Sequence, residues 1–320
     1  MHRDYPQISW DEQLEDDCRQ IVRLAVREDL DRGCDWTTVS LVPADRAGKA
    51  EIVTRQRGVI AGIPALVLAL REMNIAAEFV PRVADGDSVE AGAVIASLAG
   101  KARDLLTAER LLLNLLGRMS GIATLTRRYV DAVSGKPARI YDTRKTTPGW
   151  RRLEKYAVRC GGGWNHRVGL FSAVLVKDNH LAFLSGSGSV PGGSPAEAGD
   201  RSSDAALAVE CIKKFLSETD APAMPLSDML VEVEVDSLTQ LDGALRAGPD
   251  IVLLDNMTRD QLRQAVACRD AVAPEIELEA SGGITLETVR SVAETGVERI
   301  SVGALTHAAA SLDVSLDWLT

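Results

Sequence analysis

Nine basic side chains fall between Lys136 and Arg167: Lys136, Arg139, Arg144, Lys145, Arg151, Arg152, Lys155, Arg159 and Arg167. Only two acids, Asp142 and Glu154, stand among them, so this stretch carries a net +7 inside a chain of formal charge −10. A local excess of that size is poorly explained as a solvated face, and it focuses the field onto a small polyanion, a phosphate or a carboxylate. The cations also follow strand-like segments. Arg139-Ile140-Tyr141 reads as a short strand running straight into the polar loop from Asp142 to Gly149, and Ser172 to Val176 ends the same way in Lys177-Asp178-Asn179-His180. Cationic groups just past the carboxyl ends of strands lie where α/β folds keep their ligand sites. The plainer alternative is a basic surface loop.

Beyond residue 204 apolar runs and helical patterns alternate regularly. The pattern predicts helices at 205–217, 238–247, 259–271 and 286–295 and strands at 229–235, 250–254, 275–280 and 298–302, with short polar links. Such alternation means parallel strands with right-handed crossovers. With the strands at Arg139 and Ser172, six are visible, which predicts a TIM-like (β/α) barrel, incomplete or open. Glu234, Asp255, Ser281 and Gly303 stand at successive strand exits, with gaps of 21, 26 and 22 residues. Glu234 and Asp255 on adjacent strands suit sugar hydroxyls or a metal ion, although a carboxylate at a strand end can also merely cap the next helix. Ser281-Gly282-Gly283 and Gly303 fall on the last two exits, where barrels bind phosphate through backbone N–H groups. A glycine pair alone marks only a turn.

The amino-terminal third reads differently. A helix over 11–30, a strand over 49–60, a helix over 64–73 and a pair of strands over 78–98 joined through Asp85-Gly86-Asp87 predict an α+β sandwich domain at 1–105, before a barrel domain at 106–306, with 307–320 packing on the first. The segment VADGDSVEAGAVIASLAG also has the look of a carrier-domain hairpin, but no lysine occupies it, the nearest being Lys101. Two helical patterns fill 104–133, separated at Ser120-Gly121. Their leucines are too evenly spread for a surface helix, and Arg110 in the middle is either paired with Glu109 or another acid or faces an anionic ligand. The Gly/Ser/Pro-rich stretch 184–203 is expected to be a loop at the rim, a lid or only a tolerated insertion.

Composition sets the outer limits. The chain has 320 residues, 46% of them apolar, ample for a core. No apolar run approaches the ~20 residues that cross a membrane, and the acidic start does not read as a signal peptide, so a cytoplasmic location is expected. Five cysteines without CxxC pairs suggest neither a disulfide framework nor a zinc site. A pI near 5.0 argues against a nucleic-acid partner.

The segment DTRKTTPGWRRLEKYAVRCGGGWNHRVGL, with ERLLLNLLGRMSGIAT before it and VEVEVDSL, IVLLDNM and EASGGI after it, resembles the quinolinate phosphoribosyltransferases. The match runs in order from about Glu28 to Gly303, with EDLDRGCDWTT as a weaker amino-terminal signature. The resemblance implies a pentosyltransferase that joins phosphoribosyl pyrophosphate to quinolinate, releasing pyrophosphate and CO2, in NAD biosynthesis with Mg2+. It also implies that Arg110, Arg144, His166, Arg167 and Lys177 hold the quinolinate carboxylates, that Lys145 stands near the phosphates, and that Lys145, Lys177, Glu234 and Asp255 are the catalytic groups. Glu234 and Asp255 would serve the metal, directly or through the substrate. The family is dimeric, with the residue matching Arg110 reaching the neighbour's pocket. His166 read alone could equally be a satisfied core histidine. Two other functions stay open: a related pyrophosphorylase acting on another base, and a phosphate-sugar sensor without turnover.

Overall fold

The structure is a computed structural model and describes residues 3–186, 202–219 and 229–319. In chain order these form α1 (Glu12–Leu30), α2 (Trp36–Leu41), β1 (Ala47–Thr54), β2 (Gly58–Val59), α3 (Ile63–Glu72), β3 (Glu78–Pro81), β4 (Ser88–Val89), β5 (Val94–Lys101) and α4 (Ala102–Ala132). They continue through β6 (Arg139–Tyr141), α5 (Arg151–Cys160), β7 (Val174–Val176), α6 (Asp178–Gly186), α7 (Ser202–Glu218), β8 (Val231–Val235), α8 (Leu238–Ala247) and β9 (Ile251–Asp255). The last are α9 (Arg259–Val272), β10 (Glu277–Ser281), α10 (Val289–Ala293), β11 (Arg299–Ser301), α11 (Ala304–His307) and β12 (Val314–Trp318). Among the described residues no helix is long and apolar enough to cross a membrane.

Two compact units emerge. One comprises residues 1–6, 131–144 and 166–302; the other comprises 7–130, 145–165 and 303–320. The sequence pattern predicts a single boundary at 105/106. The contacts divide the chain differently because α4 through Val130, the 145–165 segment and the carboxyl-terminal residues all pack within the second unit.

In the first unit six strands form one parallel sheet in the order β6-β11-β10-β9-β8-β7. The outer strands β6 and β7 do not pair, so the TIM-like sheet is open, and among the described residues it has these six strands alone. Register divides the side chains between two faces. One face is wholly apolar, carrying Val176, Val233, Val252, Leu278 and Ile300, and it takes the covering helices, as parallel sheets require. The opposite face carries Glu232, Glu234, Asp255, Glu277, Glu279, Arg299, Arg139 and Tyr141.

Local chemistry fixes the helix ends. Thr258 and Gln261 form a capping box at the start of α9, and Gly248 takes a left-handed φ of 68° at the end of α8. The helix expected at 286–295 shortens to Val289–Ala293, because Thr285 does not cap it. Instead its N–H bonds to Thr288 Oγ1 at 2.9 Å in a preceding turn. The Gly/Ser/Pro-rich insertion lies largely outside the described residues; its first three residues end α6.

In the second unit four antiparallel strands run β12-β1-β5-β3, and β2 pairs with β4. The two helical patterns read at 104–133 are one continuous 31-residue helix, α4. Gly121 is not a break. A Cβ there would lie 2.1 Å from the Ala310 carbonyl oxygen, so its glycine permits backbone to approach helix, as the Leu312 N–H does when it donates to the Gly117 carbonyl at 2.8 Å. Gly161 plays the same part, its added Cβ meeting the Ala123 carbonyl oxygen at 2.5 Å.

Candidate active site

Four neighbouring strand exits of the parallel sheet carry the polar residues expected there. Lys177 follows β7 and pairs with Glu234 of β8. Asp255 ends β9 and stands directly opposite Ser281 at the end of β10. Glu234 and Asp255 are not at equivalent positions, however: Glu234 is level with Leu253, so Asp255 shares its face one side-chain repeat further along. The regular sequence gaps hid that stagger.

Asn256, which no sequence spacing singles out, organises the next exit. It adopts a left-handed φ of 54°, donates from Nδ2 to Asp255 Oδ2 at 2.7 Å, and gives its N–H to the Ser281 carbonyl at 2.9 Å. An added Cβ on Gly282, whose φ is 98°, would come within 2.1 Å of Asn256 Oδ1. Glycine is therefore required at 282, while Gly283, at φ 58°, faces open space. In the sequence the cue is the asparagine of IVLLDNM, a residue type that visits the left-handed region more readily than most. A cavity of about 410 Å³ adjoins this turn, lined by Ser281, Gly282 and Gly283 with Thr258, Arg259 and Thr288.

The NHR motif enters the sheet's polar face. His166 gives its N–H to Asp142 Oδ1 and accepts the Arg167 N–H on Nδ1, both at 2.8 Å. Its Nε2 lies 3.1 Å from Glu232 and 3.5 Å from Glu279, and Tyr5 stacks on the ring at 4.5 Å between centroids. His166 is thus a buried histidine, 5% exposed. Arg167 is equally buried, donating to the Ala173 carbonyl at 3.1 Å, with its Nε lacking a hydrogen-bond partner among the described residues. Burial and then the nearby Arg144 charge hold the Arg167 guanidinium below its ordinary pKa. Arg144 itself is exposed.

Behind the motif lies a charge network that joins residues distant in the chain. Arg299 has no exposed surface and binds Glu279 at 3.1 Å, Glu277 at 2.9 Å and Asp4 at 3.0 Å, under the ring of Tyr141. Arg139 joins Asp4 and Glu277. Burial raises the Glu279 pKa and the neighbouring Glu232 charge raises it further, against the lowering pull of His166 and Arg299. Glu232 moves down: burial opposes ionisation, but its interaction with His166, the hydrogen bonds from His166 and Tyr5 and the Arg299 charge outweigh it. His166, Glu232 and Glu279 bring ligand atoms within 4.8 Å of one another, yet the Arg299 guanidinium on Glu279 already supplies the positive charge a cation would bring. The period-2 alternation in VEVEV and ELEAS was the available signal.

The second unit holds Arg110, Lys145 and Gly303. Arg110 is exposed in the single chain. With Asn114 it makes an exposed line on α4 between buried residues, and it lines a cleft of about 580 Å³ with Trp150, Thr147 and Asp313. The paired arginine of this helix is Arg118, bound to Glu154 at 2.6 Å. Glu154 is fully buried and also accepts from the Thr147 N–H and hydroxyl at 3.1 and 2.8 Å, pinning the loop after Lys145. The Lys145 carbonyl accepts from the Thr306 hydroxyl at 2.7 Å, and a Cβ on Gly303 would lie 2.9 Å from Lys145 Cδ. Each of the two acids in the basic stretch is thereby turned inward within its own unit, Asp142 onto His166 and Glu154 onto Arg118. Neither leaves a carboxylate at the surface to offset the exposed Arg144 and Lys145.

Comparison with known proteins gives one consistent result. The C-terminal-domain model of quinolinate phosphoribosyl transferase matches residues 122–317 and the N-terminal-domain model matches 35–120. The chain is 45% identical over 304 residues to the nicotinate-nucleotide pyrophosphorylase (carboxylating) of Mycobacterium leprae, covering 94% of this chain and 97% of that protein. It is 35% identical over 315 residues to quinolinate phosphoribosyltransferase (decarboxylating) 1b of Nicotiana tabacum, covering 94% and 82%. The solved nicotinate-nucleotide pyrophosphorylase of Francisella tularensis superposes with a TM-score of 0.83 at 34% identity, covering 99% of this chain and 100% of that one.

Proposed function

Because the chain belongs to the quinolinate phosphoribosyl transferase family, we propose that the strand exits of its parallel sheet bind phosphoribosyl pyrophosphate and quinolinate. The chain converts them to nicotinate mononucleotide, pyrophosphate and CO2, a step of NAD biosynthesis. The observation that carries this reading is the run of Lys177, Glu234, Asp255 and the Gly282-Gly283 turn on four neighbouring strands. It offers a cation, two acids and a glycine turn whose Gly283 stands open to a ligand.

The chemistry assigns their parts. As pyrophosphate departs, positive charge builds at the ribose C1, and the carboxylates of Glu234 and Asp255 stabilise it. The pyridine nitrogen of quinolinate takes the bond that pyrophosphate leaves, giving a pyridinium. The carboxylate beside that nitrogen then leaves as CO2, its bonding pair staying on the ring carbon next to the positive nitrogen until a proton arrives. No electron-sink cofactor is needed for this, only orientation and exclusion of water. Arg144, Arg167 and Lys177 hold the two carboxylates, and arginine suits the work because its planar fork grips a carboxylate in two places. His166, buried with its ring nitrogens turned to Glu232 and to the Arg167 N–H, serves the clamp through Arg167. Lys145, Ser281, Gly282, Gly283 and Gly303 serve the phosphates. The cofactor is Mg2+: Glu234 and Asp255 offer the hard oxygens it takes, and an ion that keeps its waters and binds substrate phosphates needs only one or two carboxylates. When bound, it neutralises the leaving pyrophosphate.

The active assembly is a homodimer in which Arg110 serves its partner's site. The support is that Arg110 and Asn114 stand exposed on a stretch of α4 where Leu111, Leu112, Leu113, Leu115 and Leu116 are buried.

Quinolinate should react while nicotinate, lacking the carboxylate beside nitrogen, is used poorly; equal use of both would contradict the two-carboxylate clamp. Arg144→Lys keeps the charge but loses the fork, and its kcat/KM should fall by about 2 kcal/mol in transition-state terms. Asp255→Asn should raise the phosphoribosyl pyrophosphate KM and the Mg2+ requirement while calorimetry finds quinolinate binding intact; lost quinolinate binding would reassign Asp255 to the clamp. Arg110→Ala and Lys177→Ala, each inactive alone, should regain roughly a quarter of wild-type activity when their subunits exchange, since about half the dimers are mixed and each has one intact site. No recovery would place Arg110 in its own chain's site.

A further inference from the structure

The N-terminal-domain family model matches from residue 35, and described residues ahead of that point reach the polar face of the parallel sheet. Tyr5 is 2% exposed and lies with its ring 27° from that of His166 at 4.5 Å between centroids. Its hydroxyl donates to Glu232 Oε2, the same oxygen that stands 3.1 Å from His166 Nε2. Asp4 fixes the backbone next to it by accepting from Arg299 at 3.0 Å, Arg139 at 2.9 Å and the Tyr141 hydroxyl at 2.8 Å. The segment is therefore anchored on one side by a guanidinium pair and holds an imidazole on the other.

That imidazole has little freedom. Nδ1 accepts the Arg167 N–H, so the ring proton belongs on Nε2, facing Glu232. Rotating the ring would break the bond to Glu232 and the bond to the Arg167 backbone together. Tyr5 covers one ring face and also steadies the carboxylate that accepts the hydrogen bond from the ring's Nε2–H, so both constraints pass through one side chain. Arg167 is the next residue, and its backbone N–H is the one His166 holds.

We propose that Tyr5 is a positioning residue for the carboxylate clamp: it fixes the His166 ring, and through it the turn that presents Arg167 to quinolinate. This rests on the reading that Arg167 binds quinolinate. At 2% exposed, Tyr5 acts on the clamp through His166 and Glu232. Its effect should appear in the recognition of one substrate and not the other, since the hydrogen bonds from Tyr5 and His166 run to Glu232, Asp142 and Arg167, on the clamp side of the site.

The test uses the full-length chain with Tyr5→Phe, Tyr5→Ala and Arg167→Lys, measuring thermal unfolding beside kcat and both KM values. Tyr5→Ala should raise the quinolinate KM about tenfold, a change of about 1.4 kcal/mol, while the phosphoribosyl pyrophosphate KM moves less than twofold. Tyr5→Phe keeps the stack and loses only the hydroxyl bond, and should raise the quinolinate KM roughly threefold. A fall in Tm with both KM values unchanged in Tyr5→Phe and Tyr5→Ala overturns the proposal, leaving Tyr5 a packing residue. If Tyr5→Ala does not fold, Tyr5→Phe decides alone: an unchanged quinolinate KM there overturns it. An Arg167→Lys variant with normal quinolinate KM removes the clamp reading and the proposal together. Elevated KM in Arg167→Lys with normal KM in the Tyr5 variants removes the positioning role only.

Discussion

A guanidinium with no exposed surface sits on the polar face of the parallel sheet. Arg299 reaches Glu277, Glu279 and Asp4 within 3.1 Å and lies 3.9 Å from the centroid of Tyr141. Such an arrangement gains little net stability over a well-packed apolar core, but removing one partner leaves a buried charge unmet, at a cost of about 3–5 kcal/mol. Its effect is on specificity of register. Glu279 and Arg299 are direct cross-strand neighbours, as are Arg299 and Arg139, so a one-residue slip of β10, β11 or β6 would drive charges into the apolar face under the helices. The register that satisfies Arg299 is the same one that sets Asp255 opposite Ser281 and Glu234 beside Lys177. The floor of the sheet and the exits above it are thus one constraint.

The same alternation explains what could and could not be read from the chain. Parallel strands covered on both faces normally read as unbroken apolar runs, and β9, Ile251-Val252-Leu253-Leu254, does so. β8 and β10 instead alternate valine or leucine with glutamate, which identified strands but not where the inner glutamates point. Glu234 was legible because it lies near an exit. Glu232 and Glu279 were not, because their partners His166, Tyr5 and Arg299 come from distant parts of the chain, and no local period encodes such pairings. Arg110 and Arg118 are eight residues apart on one helix, and only packing decides which of them is exposed. The break expected at Ser120-Gly121 failed for a related reason: glycine propensity is weak beside a close backbone contact that only glycine admits.

At the site, the network and the basic stretch act in sequence. The two acids of that stretch are drawn inward, so the loop from Arg144 presents cations with little local compensation. Two carboxylates of a planar ring and the phosphates of an activated sugar are ligands that such a field gathers. Glu234 and Asp255 add negative charge where a ribosyl cation develops. The division of labour makes the chemistry depend on placing opposite charges a few ångströms apart without letting them all neutralise one another, which a rigid, register-locked sheet can do.

The most direct measurement follows the carbon that leaves. Quinolinate carrying 13C in the carboxyl beside the ring nitrogen is incubated with the purified protein, phosphoribosyl pyrophosphate and Mg2+, and the products are followed by NMR and mass spectrometry. Label should appear in CO2 in a one-to-one ratio with pyrophosphate and with unlabelled nicotinate mononucleotide. Label retained in a nucleotide product, or binding of phosphoribosyl pyrophosphate with no pyrophosphate released, would contradict a decarboxylating transfer at this site.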